Sequence, residues 1–221
     1  MRWYSRPLKL DVTDAERVPQ AVREAFEHFG RLDVLVNNAG YSLIATAEET
    51  TDEQVQSLFN ANYFGVVRVL RAVLPLMRQQ RSGHILGVTS SLGVVPAPLI
   101  GFYSATKALH ETLAKEVAQF GIKVTMIEPG AYATEFGKSA TRADAMGVYD
   151  TFRNEFMAGL MWSSTTDRLV RTDTQRNSSW PGARGSIEGR INCRRLVFST
   201  ELILAVTRRT IHSRYRFFRG N

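Results

Sequence analysis

The chain has 221 residues, 44% of them apolar and 22% charged, a balance that fits one globular domain with a substantial buried core, since a domain of this size hides roughly 70% of its unfolded surface. No stretch approaches the ~20 apolar residues that a bilayer-crossing helix needs, and Met1–Leu10 has no uninterrupted apolar run after Arg2 and Arg6, so neither a membrane segment nor a secretory signal is expected and the cytoplasm is the expected compartment. The net charge of +7 raises nucleic-acid binding, but residues 162–221 hold twelve Arg, no Lys and four acids, a balance of +8 that leaves −1 for residues 1–161; with no recognition motif beside that charge, a nucleic-acid partner is not expected.

In chain order, Leu8–Asp11 is a short strand candidate, and Thr13–Glu16 has the form of a capping box. A helix should follow, with Val18, Val22, Ala25, Phe26 and Phe29 at helical spacing, Gly30 as its stop and Pro19 as an objection one turn inside. Asp33–Asn37 is nearly continuous in apolar residues, as a strand covered on both faces must be. Thr51 caps a long helix whose stripe runs Val55, Phe59, Asn62, Val66, Leu70, Val73, Met77; Asn62 is its polar member. His84–Ser90 is a strand, Tyr103–Phe120 a helix closed by Gly121, and Ile122–Glu128 a strand. This alternation predicts an α/β fold with a doubly wound parallel sheet, Rossmann-like, over residues 1–161. Beyond about Met161 the chain turns to Ser, Thr, Arg, Pro and Gly, so residues 162–221 are expected to be an Arg-rich tail with the composition of a disordered segment, except that the apolar run Leu196–Val206 offers a late strand or helix.

Ligands of such sheets bind beyond the carboxyl ends of the strands, where Asn38–Ala39–Gly40, Ser90–Ser91 and Pro129–Gly130 fall. Tyr103 and Lys107, four positions apart, share one face of one predicted helix. A cation beside a phenol favours the phenolate and suits the pair to acid/base transfer. Tyr-x-x-x-Lys alone is common on amphipathic helices, and Asn37–Gly40 alone is an ordinary strand-ending turn. The lone Cys193 cannot form an internal disulfide, and the four histidines lack metal spacing, so no metal site is expected.

From about Leu8 to Phe136 the sequence resembles the short-chain dehydrogenase/reductase family. The resemblance rests on Asp11–Val12, Asn37–Asn38–Ala39–Gly40, the helical Asn62 followed by Gly65, Ser90 thirteen residues before Tyr103, Tyr103 with Lys107, and Pro129–Gly130 followed by Thr134. It implies an oxidoreductase that uses NAD or NADP to interconvert an alcohol and a carbonyl compound by hydride transfer, its partner being that small molecule. Tyr103 would be the general acid/base and Ser90 would polarise the carbonyl, with Ser91 the alternative if the turn is shifted by one. Lys107 would lower the tyrosine pKa and bind the nicotinamide ribose. Asn62 would hold a proton-relaying water, or else be a satisfied core asparagine. Asp11 and Val12 would meet adenine, Asn38, Ala39 and Gly40 the adenosine ribose, and Pro129, Gly130 and Thr134 the nicotinamide carboxamide.

Two departures from the family pattern qualify these expectations. The family opens with a strand, a glycine-rich turn, a helix and a second strand, roughly 50 residues that hold the cofactor pyrophosphate; none of this precedes Leu8, and the first glycine is Gly30. An N-terminally shortened fold is therefore expected, with an unpaired edge on the Val34 strand, and a non-catalytic fragment acting through a partner is the alternative function. About one helical turn is also lacking between Lys107 and the next strand, which leaves a homo-oligomer through that helix open.

Overall fold

The computed structural model of this chain describes residues 7–129, 135–137, 139–163 and 203–205. Gly130, Thr134, Cys193 and nearly all of the predicted tail lie outside these residues.

Helix α1, Arg17–Phe29, buries Val18, Ala21, Val22 and Ala25, and Gly30 ends it with φ 74°. The expected Thr13–Glu16 capping box does not form. Thr13 gives its amide and hydroxyl to Asp11 Oδ1 at 2.8 and 2.7 Å, and Asp14 Oδ1 accepts from the amides of Glu16 and Arg17 at 3.0 and 2.8 Å. Pro19 thus sits in the first turn, where its lack of an amide hydrogen costs nothing.

Strands β1 (Val34–Asn37), β3 (Gly83–Val88) and β4 (Ile122–Ile127) form a parallel ladder in the order β4-β3-β1. Leu8–Asp11 is not a strand. Both edges of β1 are occupied, and Leu8, Leu10 and Val12 pack instead against the main core around Leu35, Val73 and Ile85. The expected open edge of β1 is also corrected: β6 (Ile203–Ala205), from within the late apolar run, pairs antiparallel with Val34–Val36. A small second ladder joins β2 (Leu43–Ile44) in parallel to β5 (Thr141–Arg142).

The long helix begins as predicted. Thr51 and Gln54 form a reciprocal capping box at the start of α2, Asp52–Phe59. A π-helical turn, Asn60–Phe64, then separates it from α3, Gly65–Gln80. The inserted residue rotates the buried face: Leu58 is the buried residue of α2, while Val55 and Phe59 of the predicted stripe are half-buried.

The helix predicted over Tyr103–Phe120 is broken. α4 (Gly101–Ala105) stops, a turn spans 106–108, and α5 (Leu109–Val117) follows, ending in a 3₁₀ turn and Gly121. The cause is local. The Thr106 hydroxyl donates to Tyr103 O at 2.7 Å, and the amides of Thr106 and Lys107 reach back only three residues, to Tyr103 O and Ser104 O. α6, Asp150–Ser163, closes the described part of the body.

Candidate active site

Ser90 stands two residues past the end of β3, and Tyr103 stands on α4; both are buried, at 7% and 5% exposure. The Ser90 hydroxyl is near enough to the Tyr103 phenol to favour its ionised form, and the edge of the same turn is held by Leu92 N donating to Ser90 Oγ at 3.2 Å. Ser91 is committed elsewhere: its amide and hydroxyl donate to Pro129 O at 3.3 and 3.4 Å. The geometry therefore separates the two serines and puts Ser90 beside the phenol.

Lys107 comes to the same place although the helix breaks between it and Tyr103. Its Nζ lies 5.0 Å from the Tyr103 ring centroid and donates to Val88 O at 3.2 Å. Enclosure of the ammonium brings Lys107 down to about 8. The phenol moves the opposite way from the sequence expectation. Burial raises Tyr103 above its ordinary 10.0, and among the described residues the Ser90 hydroxyl opposes this. Lys107 sits over the ring face, where it contributes a cation–π contact.

Asn62, in the π-helical turn, is 3% exposed and fully engaged. Its Oδ1 accepts from Tyr41 N at 3.0 Å, while Nδ2 donates to Tyr41 O at 2.8 Å and to Thr106 Oγ1 at 3.3 Å. Through Thr106, which holds Tyr103 O, Asn62 is tied to the turn that carries the tyrosine. Gly40 permits this: a Cβ there would lie 2.9 Å from Asn62 Oδ1.

On the other side, Val12, Asn38 and Ala39 line one cleft past the end of β1, with Gly65 of α3. Asp11 is adjacent in sequence, its carboxyl turned to Thr13, whose hydrogen bonds hold it below the usual carboxylate range. Pro129 abuts Ser91, as above; its predicted companions Gly130 and Thr134 lie outside the described residues.

Three contributors carry no sequence motif. Thr106 was hidden inside the Tyr-x-x-x-Lys spacing. His110, three residues after Lys107 and on the buried side of α5 with Leu113 and Val117, accepts from the Asn37 amide at 3.4 Å; burial and the Lys107 charge push it down to about 4. Glu49, whose side chain is 2% exposed, binds Arg153 across 104 positions, a pairing with no local signature.

The chain is similar to several known proteins. A family model described as short chain dehydrogenase matches residues 5–145. A 3-ketodihydrosphingosine reductase of Bacteroides thetaiotaomicron is 40% identical over 159 residues, covering 70% of this chain and 59% of its own length. A crystal structure of a short-chain dehydrogenase from Streptomyces avermitilis is 37% identical, with a TM-score of 0.63 over 72% of this chain and 67% of its own. The structure titled ElxO with NADP bound is 31% identical, with a TM-score of 0.56 over 69% of this chain and 58% of its own. The chain spans about two thirds or less of the curated relatives it matches, from 59% to 66% for the first four. With more than half of the chain matched, and a serine, a phenol and an ammonium gathered at the strand ends, this protein belongs to the short-chain dehydrogenase/reductase family.

Proposed function

We propose that the chain reduces a carbonyl compound to an alcohol, and runs the reverse reaction, with NADH or NADPH as partner. The observation that carries this is the enclosed Lys107 ammonium 5.0 Å from the centre of the Tyr103 ring, with the buried Ser90 hydroxyl near enough to favour the phenolate. A reductase relative and a structural neighbour solved with NADP support the direction and the cofactor.

The residues present fit the two ends of such a dinucleotide. Val12, Asn38 and Ala39 would flank a flat base past the end of β1, and Lys107 with Tyr103 would offer donors to ribose hydroxyls. The dinucleotide, when bound, supplies the hydride.

The protein side of the reaction follows from the two protonation states. A phenol raised by burial is protonated at neutral pH, so Tyr103 is a proton donor. Ser90 and Tyr103 both point donors at one carbonyl oxygen, which gathers negative charge as its carbon is reduced. The phenol proton passes to that oxygen, and the phenolate left behind is favoured by the Ser90 hydroxyl. Reduction should hold its rate through neutral pH and fall as pH climbs past the phenol pKa, whereas oxidation should climb over the same range.

The test is titration with NADH and NADPH, then turnover of a panel of aldehydes and ketones. Tyr103→Phe should lower kcat about 10²- to 10⁴-fold, far more than it weakens cofactor binding. Turnover unchanged in Tyr103→Phe would refute the assignment.

A further inference from the structure

A carboxylate outside the Ser90–Tyr103 site ties together two parts of the chain that are distant in sequence. Glu49 lies between β2 and α2 with its side chain 2% exposed. Its Oε2 accepts from the Thr46 amide and hydroxyl, both at 3.0 Å, which fixes the carboxylate on its own loop. Its Oε1 accepts from Met146 N at 2.8 Å and from the Arg153 guanidinium. Arg153 is aimed by Asp150 Oδ1 at 2.7 Å, and the neighbouring Glu48 accepts from the Tyr149 hydroxyl at 2.5 Å. These hydrogen bonds hold Glu49 down at about 2, so the clamp is charged throughout the physiological range.

The clamped segment leads to the catalytic phenol. Thr141 N donates to Ser42 O at 2.8 Å, which starts the β2–β5 ladder. Upstream, Ser139 folds back onto Phe136 O through its amide at 3.2 Å and its hydroxyl at 2.8 Å. The Phe136 ring stands 5.9 Å from the Tyr103 ring and is 40% exposed. On the Ser90 side the turn continues into Val94 and Val95, also exposed. An exposed aromatic beside the catalytic ring, with exposed valines on the turn after Ser90, offers surface to an apolar group.

We infer that Glu49 is a positioning residue: it fixes the Thr141–Arg153 segment, and through it Phe136, as the wall that receives the apolar flank of the carbonyl substrate. The inference rests on the reaction proposed above, because it takes Tyr103 as the point where the carbonyl lies. Glu49 itself touches neither substrate nor cofactor. Its loss should weaken substrate binding far more than the chemical step.

Glu49→Gln keeps the shape and removes the charge, and Arg153→Met removes the partner without touching Glu49. The primary readout is the Kd of 2-decanone from saturation-transfer NMR with the full-length chain, beside the Kd of NADPH. Both variants should weaken 2-decanone binding at least tenfold, leave NADPH binding within twofold, and combine less than additively. Where turnover is measured, KM for the ketone should rise with kcat little changed. Hydrogen exchange over 141–153 reports whether the clamp has opened. Faster exchange there with an unchanged Kd for 2-decanone would overturn the inference, as would a parent chain that does not bind the ketone. A parent that binds 2-decanone without reducing it would count against the proposed reaction while the binding comparison still decides the role of Glu49.

Discussion

His110 is enclosed by the Asn37 amide on one strand and Gly87 on the next, where a Cβ would come within 2.3 Å of the imidazole. A neutral ring is the form that accepts from Asn37, and an imidazolium there would also face the Lys107 charge. The consequence for stability has a definite sign. Unfolded, His110 takes a proton below its ordinary 6.5; folded, it resists until about 4. Between those values the unfolded chain binds the extra proton, so stability is complete above 6.5 and declines toward pH 4, by about 3 kcal/mol on the scale of ~1.4 kcal/mol per pKa unit. Urea melts of the parent from pH 7 to pH 4 should show this slope, and His110→Gln should remove much of it, the remainder belonging to His84, which burial also lowers, and near pH 4 to Glu49, whose carboxyl stays ionised down to about 2 when folded. Equal slopes in both proteins would discard the assignment. Residues at this scale were legible where the chemistry is local. Ser90, Tyr103 and Lys107 are set by short spacings, whereas His110 and Glu49 act through partners 73 and 104 positions away, which no local pattern encodes.

Among the elements, the π-helical turn does the most to shape the site. Asn62 clasps both backbone groups of Tyr41 and reaches Thr106, so one side chain joins the loop after β1 to the turn before Lys107. Asn62→Ala strands a buried backbone donor and acceptor, and at roughly 1 kcal/mol for each hydrogen bond should cost about 2–3 kcal/mol in a denaturant melt. Gly40→Ala should cost about 1–3 kcal/mol by overpacking, because its Cβ would meet Asn62 Oδ1 at 2.9 Å. In the Asn62→Ala background that obstacle is gone, so Gly40→Ala should cost clearly less there; strict additivity would show that the contact does not act as described. The elements that sequence periodicity located correctly, α1, β1, α3, β3 and β4, are those whose apolar spacing runs unbroken. Two of those it missed, the π turn and the break at Thr106, are one-residue changes in hydrogen-bond reach. They leave the apolar pattern nearly intact, so periodicity cannot see them.

For the whole molecule, the order β4-β3-β1 follows from strands alternating with helices, and the position of the site at their carboxyl ends follows with it. The fourth strand does not follow. Ile203–Ala205 pairs with Val36–Val34 from almost 170 positions away, in a register that only the folded sheet defines. A bare β1 edge would offer unpaired amides and carbonyls to another chain, so the pairing should protect against association. Successive residues of a strand turn their amides to opposite sides, so Ile203→Pro with Leu204→Pro removes at least one amide aimed at β1, whichever side each faces. In the full-length double variant, amides of Val34–Val36 that look toward β6 should exchange faster, while those bonded to β3 should keep their protection. Sedimentation should then show species larger than the parent, growing with concentration. Exchange identical to the parent across Val34–Val36 would mean that β6 contributes nothing to closing the sheet in solution.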